Sequence, residues 1–275
     1  MTVIAMTREM GTLGKDVAAE LATALGLEVV HRELVEKRLA ERLSLGESAV
    51  HRFLEGQPQL WERWKIDPKR LSHDTAEEIL RLAMKGNVLI RGWGAAQLLR
   101  DVSHVVCVRV CAPMPMRVAE IMRRLDIQDA ELAAREIQLN DEAHSRSIQR
   151  QRGIDWRDPE HYDLVLNTGF VPVSTCVALI SELAKDPAYQ PSENSKTVLM
   201  DKLIQAEAQT VLDEMITDHP LGIGLDVKVE RGAVDISGLT GEMGTLDAAM
   251  QRLRTMDGVS EVRSSVVRVP QRYGP

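Results

Sequence analysis

The sequence predicts an α/β domain built on a parallel sheet, followed by a smaller α+β domain. Residues 1–185 alternate short apolar runs with amphipathic stretches, an order typical of parallel sheets covered by helices on both faces. Residues 198–270 instead show the order α-β-β-α-β. The polar, proline-bearing segment between these patterns indicates a linker over 186–197.

Short β-branched runs mark the buried strands of the first domain, and apolar residues at helical spacing mark its helices. The predicted strands are Val3–Met6, Val88–Ile90, Val105–Val110 and Leu164–Leu166. The predicted helices cover 15–25, 32–44, 74–85, 114–125, 129–151 and 173–184. In the second domain, alternating apolar residues predict strands over 225–230, 234–237 and 259–269, with helices over 198–216 and 243–255.

Composition and charge exclude several classes of protein. With 44% hydrophobic and 27% charged residues the 275-residue chain has a globular composition, which excludes wholesale disorder. A net charge of −7 and only 3% aromatic residues disfavour a general nucleic-acid surface. We therefore expect no nucleic-acid partner.

Membrane insertion and an oxidising compartment are also disfavoured. The chain has no apolar run of the ~18 residues that a spanning helix needs, and its N-terminus lacks the pattern of a signal peptide. Cys107, Cys111 and Cys176 match no zinc spacing and are predicted to be buried thiols. These features favour a cytoplasmic protein.

The strongest chemical feature is the turn between the first strand and the first helix. A phosphate-binding loop has the pattern G-x-x-x-x-G-K-[ST], in which backbone N–H groups and the lysine hold phosphates. The segment Gly11, Thr12, Leu13, Gly14, Lys15 and Asp16 keeps the second glycine and the lysine. It departs from the pattern at Glu9, where the first glycine belongs, and at Asp16, where Ser or Thr belongs.

Two interpretations of this turn follow from the residues alone. In the first, Lys15 and the N-terminus of the helix bind the phosphates of a nucleotide. In the second, the segment is a glycine turn with an exposed lysine. Asp16 is correspondingly either a Mg²⁺ ligand or an acidic residue that complements the helix N-terminus.

Several segments in the first domain resemble the cytidylate kinase-like family. They are Thr7-Arg8-Glu9-Met10-Gly11, Gly14, Val30-His31-Arg32-Glu33-Leu34, Gly92-Trp93-Gly94-Ala95, Ala112-Pro113 before Arg117, Asp155-Trp156, and Tyr162-Asp163-Leu164 with Asn167-Thr168. The resemblance implies a P-loop NTPase-type nucleoside monophosphate kinase fold with a helical lid. It also implies ATP and Mg²⁺ as cofactors, with Asp16 or Thr7 helping to position the metal.

The chain departs from true cytidylate kinases at the acceptor site and in the lid. Those enzymes carry Arg and Asp after the glycine that matches Gly92, whereas this chain has Trp93 and Gly94. The lid aspartate matches Asp141, but Ile137 and His144 occupy neighbouring arginine positions. These departures put the acceptor and the turnover in doubt.

Candidate site residues follow from the loop and from the resemblance. Phosphoryl transfer needs cations around the moving charge, and these could be Lys15, Arg123, Arg146 and Arg150. Each of the arginines could equally belong to a solvated helix face. The predicted acceptor-binding residues are Arg32, Arg91, Trp93 and Asp141. Trp61 and Trp64 either stack on a base or pack an insertion onto the core.

The second domain resembles a BON domain. The likeness rests on Val227, Val229, Gly232, Val234, Ile236, Gly238, the helix before Gly258, and Val259 with Val262. It implies a binding role, and we expect a regulatory or oligomerisation module that contacts a protein partner or a second copy of the chain. Three functions therefore stand as hypotheses: an ATP-dependent kinase of a CMP-like nucleotide, a nucleotide-binding regulator with little turnover, and a kinase of another small acceptor.

Overall fold

The structure is a computed structural model that describes residues 1–30, 37, 39–41, 46, 48, 68–92, 94–216 and 224–269. Predictions for Arg32, Trp61, Trp64, Trp93 and most of the helix at 32–44 lie outside the described residues. The chain divides into two compact units, Met1–Ile66 with Lys85–Ser192, and Asp67–Met84 with Glu193–Pro275. None of the described helices has the length and apolar character to cross a membrane.

The described elements follow in chain order, with two short 3-10 helices at Pro159–His161 and Pro187–Tyr189 in addition. They are β1 (Val3–Arg8), α1 (Gly14–Leu25), β2 (Glu28–Val30), α2 (Pro68–Lys85), β3 (Val88–Arg91), α3 (Ala95–Leu99), β4 (Val105–Cys111), α4 (Met114–Leu125), α5 (Ala130–Arg152), β5 (Leu164–Asn167), α6 (Val173–Lys185), α7 (Glu193–Met215), β6 (Leu225–Glu230), β7 (Ala233–Thr240), α8 (Met243–Leu253), β8 (Glu261–Ser264) and β9 (Val267–Arg268).

The first unit is built on a parallel five-stranded sheet in the order β2-β3-β1-β4-β5, which confirms the predicted α/β fold. β1 is the central strand, and its residues Val3–Met6 are fully buried because helices cover both faces of the sheet. On one face, Val17 and Leu21 of α1 pack with Cys176 and Ile180 of α6 in one apolar core. The apolar runs of the sequence therefore identify the strands that place the β1–α1 loop at the middle of the sheet.

The second unit contains the predicted order of helix, two strands, helix and strand. β6 and β7 pair antiparallel, and β8 pairs parallel with β7. Alternate apolar residues of these strands form one core with α7 and α8. The strand predicted over 259–269 is instead split into β8 and β9, which pair with successive parts of β7. The split coincides with Gly238 of β7, whose φ of +127° interrupts the regular ladder.

Helix α7 begins earlier than the apolar pattern predicts. It starts at Glu193, inside the segment predicted as a linker, whereas the predicted start was residue 198. Its first turn is polar, so hydrophobic periodicity does not show it. A hydrogen-bonded ion pair between Lys196 Nζ and Glu193 Oε1, 2.9 Å long, supports that turn.

Helix α2 belongs to the second unit although its sequence lies in the middle of the predicted first domain. His73 Nδ1 lies 2.7 Å from Asp213 Oδ2 of α7, and Arg81 Nη2 lies 2.6 Å from Glu207 Oε1 of the same helix. The amphipathic pattern of α2 predicts that one face is buried, but it carries no information about which core receives that face. The compact units therefore differ from a simple division at residues 186–197.

Candidate functional site

The loop from Glu9 to Leu13 joins the carboxyl end of β1 to the start of α1. In open parallel sheets this is the edge at which ligands bind. Gly11 is buried with a φ of +78°, and a Cβ atom there would lie 2.6 Å from the Arg117 carbonyl oxygen of α4. Only glycine fits this position, because α4 passes directly against the loop.

Thr12 holds the loop in shape from within. Its hydroxyl donates to the Glu9 carbonyl oxygen at 2.9 Å and accepts from the Gly14 N–H at 3.3 Å. The Thr12 side chain is buried, so these bonds are shielded from water. The threonine therefore stabilises the conformation of the loop.

The remaining N–H groups of the loop are available to a ligand. In the described part of the chain, the N–H groups of Gly11, Leu13 and Lys15 donate to no protein acceptor. Leu13 is the N-cap of α1 and provides no side-chain cap. Uncapped N–H groups at a helix N-terminus favour an anion, so the loop is suited to phosphate oxygens.

Charged side chains flank the start of α1. Lys15 and Asp16 are exposed, and Asp16 Oδ2 lies 3.4 Å from Arg124 Nη2 of α4. Arg123, a predicted catalytic residue, instead pairs with Glu120 at 2.9 Å and is 71% exposed, as expected for a solvated helix face. Hydrogen bonds from Arg123 lower the pKa of the Glu120 carboxyl, against the raising effect of its burial.

A buried ion pair anchors Glu9, where the usual phosphate loop has glycine. Arg109 Nη2 of β4 donates to Glu9 Oε1 at 2.6 Å, and the Ala112 N–H donates to Glu9 Oε2 at 3.4 Å. Both Glu9 and Arg109 are buried. The carboxylate therefore ties the start of the loop to the neighbouring strand.

A second buried pair joins the loop to α5, the helix that carries the residues expected to form a lid. Arg117 donates from Nη1 and Nη2 to the two oxygens of Asp141, both at 2.8 Å. Its Nε donates to the Met10 carbonyl oxygen at 2.6 Å. Asp141 was predicted to bind the acceptor, and the structure places it in this buried pair.

His144 is explained by an aromatic contact. Its ring meets the buried Trp156 edge-on with 4.5 Å between centroids, and Arg109 and Arg157 lie over the same indole at 5.3 and 5.7 Å. The Tyr162 hydroxyl donates to the Trp156 carbonyl oxygen at 2.6 Å, and burial raises the pKa of the Tyr162 phenol. His144 therefore packs against a buried tryptophan that Arg109 of β4 also contacts.

Two predicted catalytic arginines line a groove along α5. The groove encloses ≈ 620 Å³ and is lined by Ser145, Arg146, Gln149, Arg150 and Asp155. Arg146 pairs with Glu142 at 3.3 Å, and Arg150 Nε donates to the Arg146 carbonyl oxygen at the same distance. A Cβ on Gly94 would lie 2.8 Å from Ile148, so the glycine motif after β3 lies against the helix that carries these arginines.

Sequence reasoning missed the role of Arg109. A signal was present, because an arginine inside the apolar run Val105–Cys111 needs a buried partner. Arg91 ends β3 and is half-buried.

The metal-binding capacity of the described residues is small. Within them, no group of three or more His, Cys, Asp or Glu side chains could hold a metal ion. Mg²⁺ at kinase sites is commonly held by one or two carboxylates together with substrate phosphates. Asp16 fits the role of such a single ligand, in competition with Arg124.

Comparison with known proteins identifies the N-terminal part of the chain, helix α2 included. Residues 3–169 match the cytidylate kinase-like family. The chain is 27% identical to a cytidylate kinase of Pyrobaculum aerophilum over 65% of this chain and 90% of the relative. It is 29% identical to a cytidylate kinase of Ignicoccus hospitalis over 66% of this chain and 99% of the relative. A crystal structure of an uncharacterized protein from Eubacterium ventriosum shares the fold, with a TM-score of 0.54 and 20% identity over 66% of this chain and 97% of that chain.

Proposed function

Since the chain belongs to the cytidylate kinase-like family and is thus a nucleoside monophosphate kinase, we propose that it transfers the γ-phosphoryl group of ATP to CMP or a close analogue. The observation that carries the proposal is the loop at the end of β1. Its Gly11 admits no side chain, and its N–H groups at Gly11, Leu13 and Lys15 donate to no acceptor in the described chain. This donor set fits the oxygens of a polyphosphate.

The donor side of the reaction is assigned to the loop and α1. Backbone N–H groups hold the phosphates, and the exposed Lys15 ammonium reaches the terminal ones. Mg²⁺ neutralises phosphate charge during transfer when it is bound. Asp16 would be its protein ligand, and binding of the metal would require Asp16 to leave Arg124.

An apolar surface beside the loop suits the base of the nucleotide. Phe170 is 79% exposed, although large apolar side chains are rarely so exposed without a partner. A Cβ on the preceding Gly169 would lie 2.9 Å from Met116 Sδ, and Met116 precedes the residue of α4 that contacts Gly11. We assign this surface to contact with the ATP base.

The acceptor side is assigned to the groove on α5. Arg146 and Arg150 supply cations for the acceptor phosphate, with Arg91 at the end of β3 as a further candidate. Because the resemblance implies arginine and aspartate where this chain has Trp93 and Gly94, base selectivity is the part of the assignment that the resemblance supports least. CMP is therefore the first acceptor to test and not the only one.

We assign the second domain, residues 198–270, as a BON-like module with a regulatory or oligomerisation role. One observation favours regulation and keeps the weak-turnover nucleotide sensor as a second candidate function. Helix α2 lies between two segments of the kinase sequence but packs with the second unit through His73–Asp213 and Arg81–Glu207. A ligand of the second unit would thus act on a helix that is covalently continuous with the kinase.

The test is ADP release from ATP and Mg²⁺ in the presence of CMP, dCMP, UMP or AMP. We expect turnover that requires one acceptor and is lost in Lys15→Ala. Lys185→Ala is the matched control, because it removes the same charge from an exposed position on α6. Stabilisation by ATP without turnover would favour the sensor. If ATP neither binds nor turns over, the phosphate-loop assignment is wrong.

A further inference from the structure

The buried guanidinium of Arg117 lies next to the loop and makes several hydrogen bonds. It is 4% exposed and bonds at once to the Met10 carbonyl oxygen and to both oxygens of Asp141. We propose that Arg117 and Asp141 are positioning residues: the pair orients the Met10–Gly11 peptide so that the Gly11 N–H faces the phosphates. The functional consequence rests on the proposed kinase activity, whereas the contact itself does not.

The hydrogen bond to the Met10 carbonyl oxygen fixes the orientation of the Met10–Gly11 peptide plane. In a trans peptide the carbonyl and the following N–H point in opposite directions. Because Arg117 Nε holds the Met10 carbonyl oxygen at 2.6 Å, the N–H of Gly11 points away from the guanidinium. The backbone of Arg117 also closes on Gly11, since its carbonyl oxygen lies 2.6 Å from the ideal Cβ position. One residue of α4 therefore fixes both the place and the orientation of this peptide.

Asp141 is needed because a competing acceptor lies nearby. Glu9 Oε2 is 3.6 Å from Arg117 Nη1, so the guanidinium has a second carboxylate within a short movement. Asp141, which is itself buried, holds the guanidinium by two parallel bonds, and such bidentate pairs fix orientation as well as distance. Without this hold, we expect Arg117 to move toward Glu9 and to release the Met10 carbonyl.

The pair also connects the two halves of the proposed site. Asp141 lies on α5, and the same helix carries Arg146 and Arg150 at the groove. A change of the loop is thus transmitted to the helix of the arginines through the buried Arg117–Asp141 pair, beside the packing of Met10 against Ala133 and Ile137 of α5. By linkage, ATP in the loop and an acceptor phosphate in the groove should alter the affinity of each other by the same factor.

The first arm of the test needs no nucleotide. Backbone hydrogen exchange of the full chain is compared between the natural protein and Asp141→Asn, with Glu136→Gln as the matched control. Glu136 is an exposed residue of the same helix, so its substitution removes the same charge without touching the loop. We expect faster exchange of the Thr12 and Gly14 amides, which are hydrogen-bonded within the loop, in Asp141→Asn only, with β1 unchanged. Unchanged exchange of the loop overturns the proposal.

The second arm separates positioning from acceptor binding. We expect Asp141→Asn to raise Kd and KM for ATP by roughly tenfold or more, because small displacements of positioned groups cost up to about 10²-fold. The KM for the acceptor at saturating ATP should change little. The opposite split, a raised acceptor KM with ATP affinity retained, would show that Asp141 binds the acceptor and would overturn the proposal.

A conservative substitution of Arg117 tests whether the effect of Asp141→Asn comes from the lost contact or from misfolding. Arg117→Lys keeps the charge but cannot bond to Met10 and to both Asp141 oxygens together, so it should show the same split if Asp141 acts through Arg117. The double variant should then be no worse than the single ones. If the natural protein binds no ATP while exchange of the loop still depends on Asp141, the proposed kinase activity fails and the positioning contact stands.

Discussion

Replacing Gly11 by alanine tests the packing of the loop against α4 most directly. The new methyl group meets two separate penalties. The φ of +78° is left-handed, and an L-residue there costs about 1–2 kcal/mol. The Cβ would also lie 2.6 Å from the Arg117 carbonyl oxygen and 3.0 Å from the carbonyl carbon, so backbone must move. Overpacking of this kind costs a further ~1–3 kcal/mol.

A second glycine provides the matched control. Gly26 ends α1 with a φ of +65°, and nothing lies within 4 Å of its ideal Cβ position. Gly26→Ala therefore carries only the backbone penalty of about 1–2 kcal/mol. The difference between the two variants isolates the close approach of α4.

Urea unfolding of both variants measures their free energies of unfolding. Isothermal titration with ATP and Mg²⁺ measures the affinity of the loop for ATP. We expect Gly11→Ala to lose more stability than Gly26→Ala by ~1–3 kcal/mol. We also expect Gly11→Ala alone to lose ATP affinity, because the loop has to shift away from α4. Equal losses of stability, with ATP affinity retained in both, would refute the close packing of the loop.

Four further predictions concern stability and thiol chemistry. Asp129→Ala should cost about 1 kcal/mol in urea, because the Asp129 carboxylate caps α5 by accepting two backbone N–H groups. Asp163→Asn should cost about 1–3 kcal/mol, since this carboxylate accepts from Arg100 at 2.6 Å and from the Cys107 N–H at 2.7 Å. Burial raises the pKa of the Cys107 thiol to about 12, so iodoacetamide at pH 8 should modify half-exposed Cys111 and spare Cys107 until urea is added. Because an unfolded thiol ionises at about pH 8.5, stability should fall as the pH rises from there toward 12. The fall should be smaller in Cys107→Ala but not absent, because burial also raises the pKa of Cys111, Cys176 and Tyr162.

The strands and the loop were predictable because their signals are local. Val3–Met6 is a continuous apolar run, and such runs occur where a strand is buried on both faces. Gly11 and Gly14 follow it directly, and lysine follows them, so strand, turn and helix can be inferred from a dozen residues. The short helix α3 was not predicted, because five residues contain too little periodicity.

The buried charges could not be assigned from the sequence, because their partners are distant along the chain. Glu9 and Arg109 are 100 residues apart, and Arg117 and Asp141 are 24 apart. Nothing local to Asp141 distinguishes an acceptor ligand from an ion-pair partner. The same limitation applies to α2, because its amphipathic pattern does not show that it packs with the second unit, which lies far along the chain.

The departures from the general phosphate-loop pattern and from true cytidylate kinases do not have equal weight once the contacts are known. Glu9 replaces a glycine, but Arg109 and the Ala112 N–H hold its carboxylate, so the loop keeps its shape by a buried ion pair. His144 stands where the resemblance implies a lid arginine, and its ring packs on Trp156. On the proposed assignment of the two sides, the donor side is therefore compensated while the acceptor side is altered. ATP binding should be retained, and any change of function should appear in the choice of acceptor or in its rate of phosphorylation.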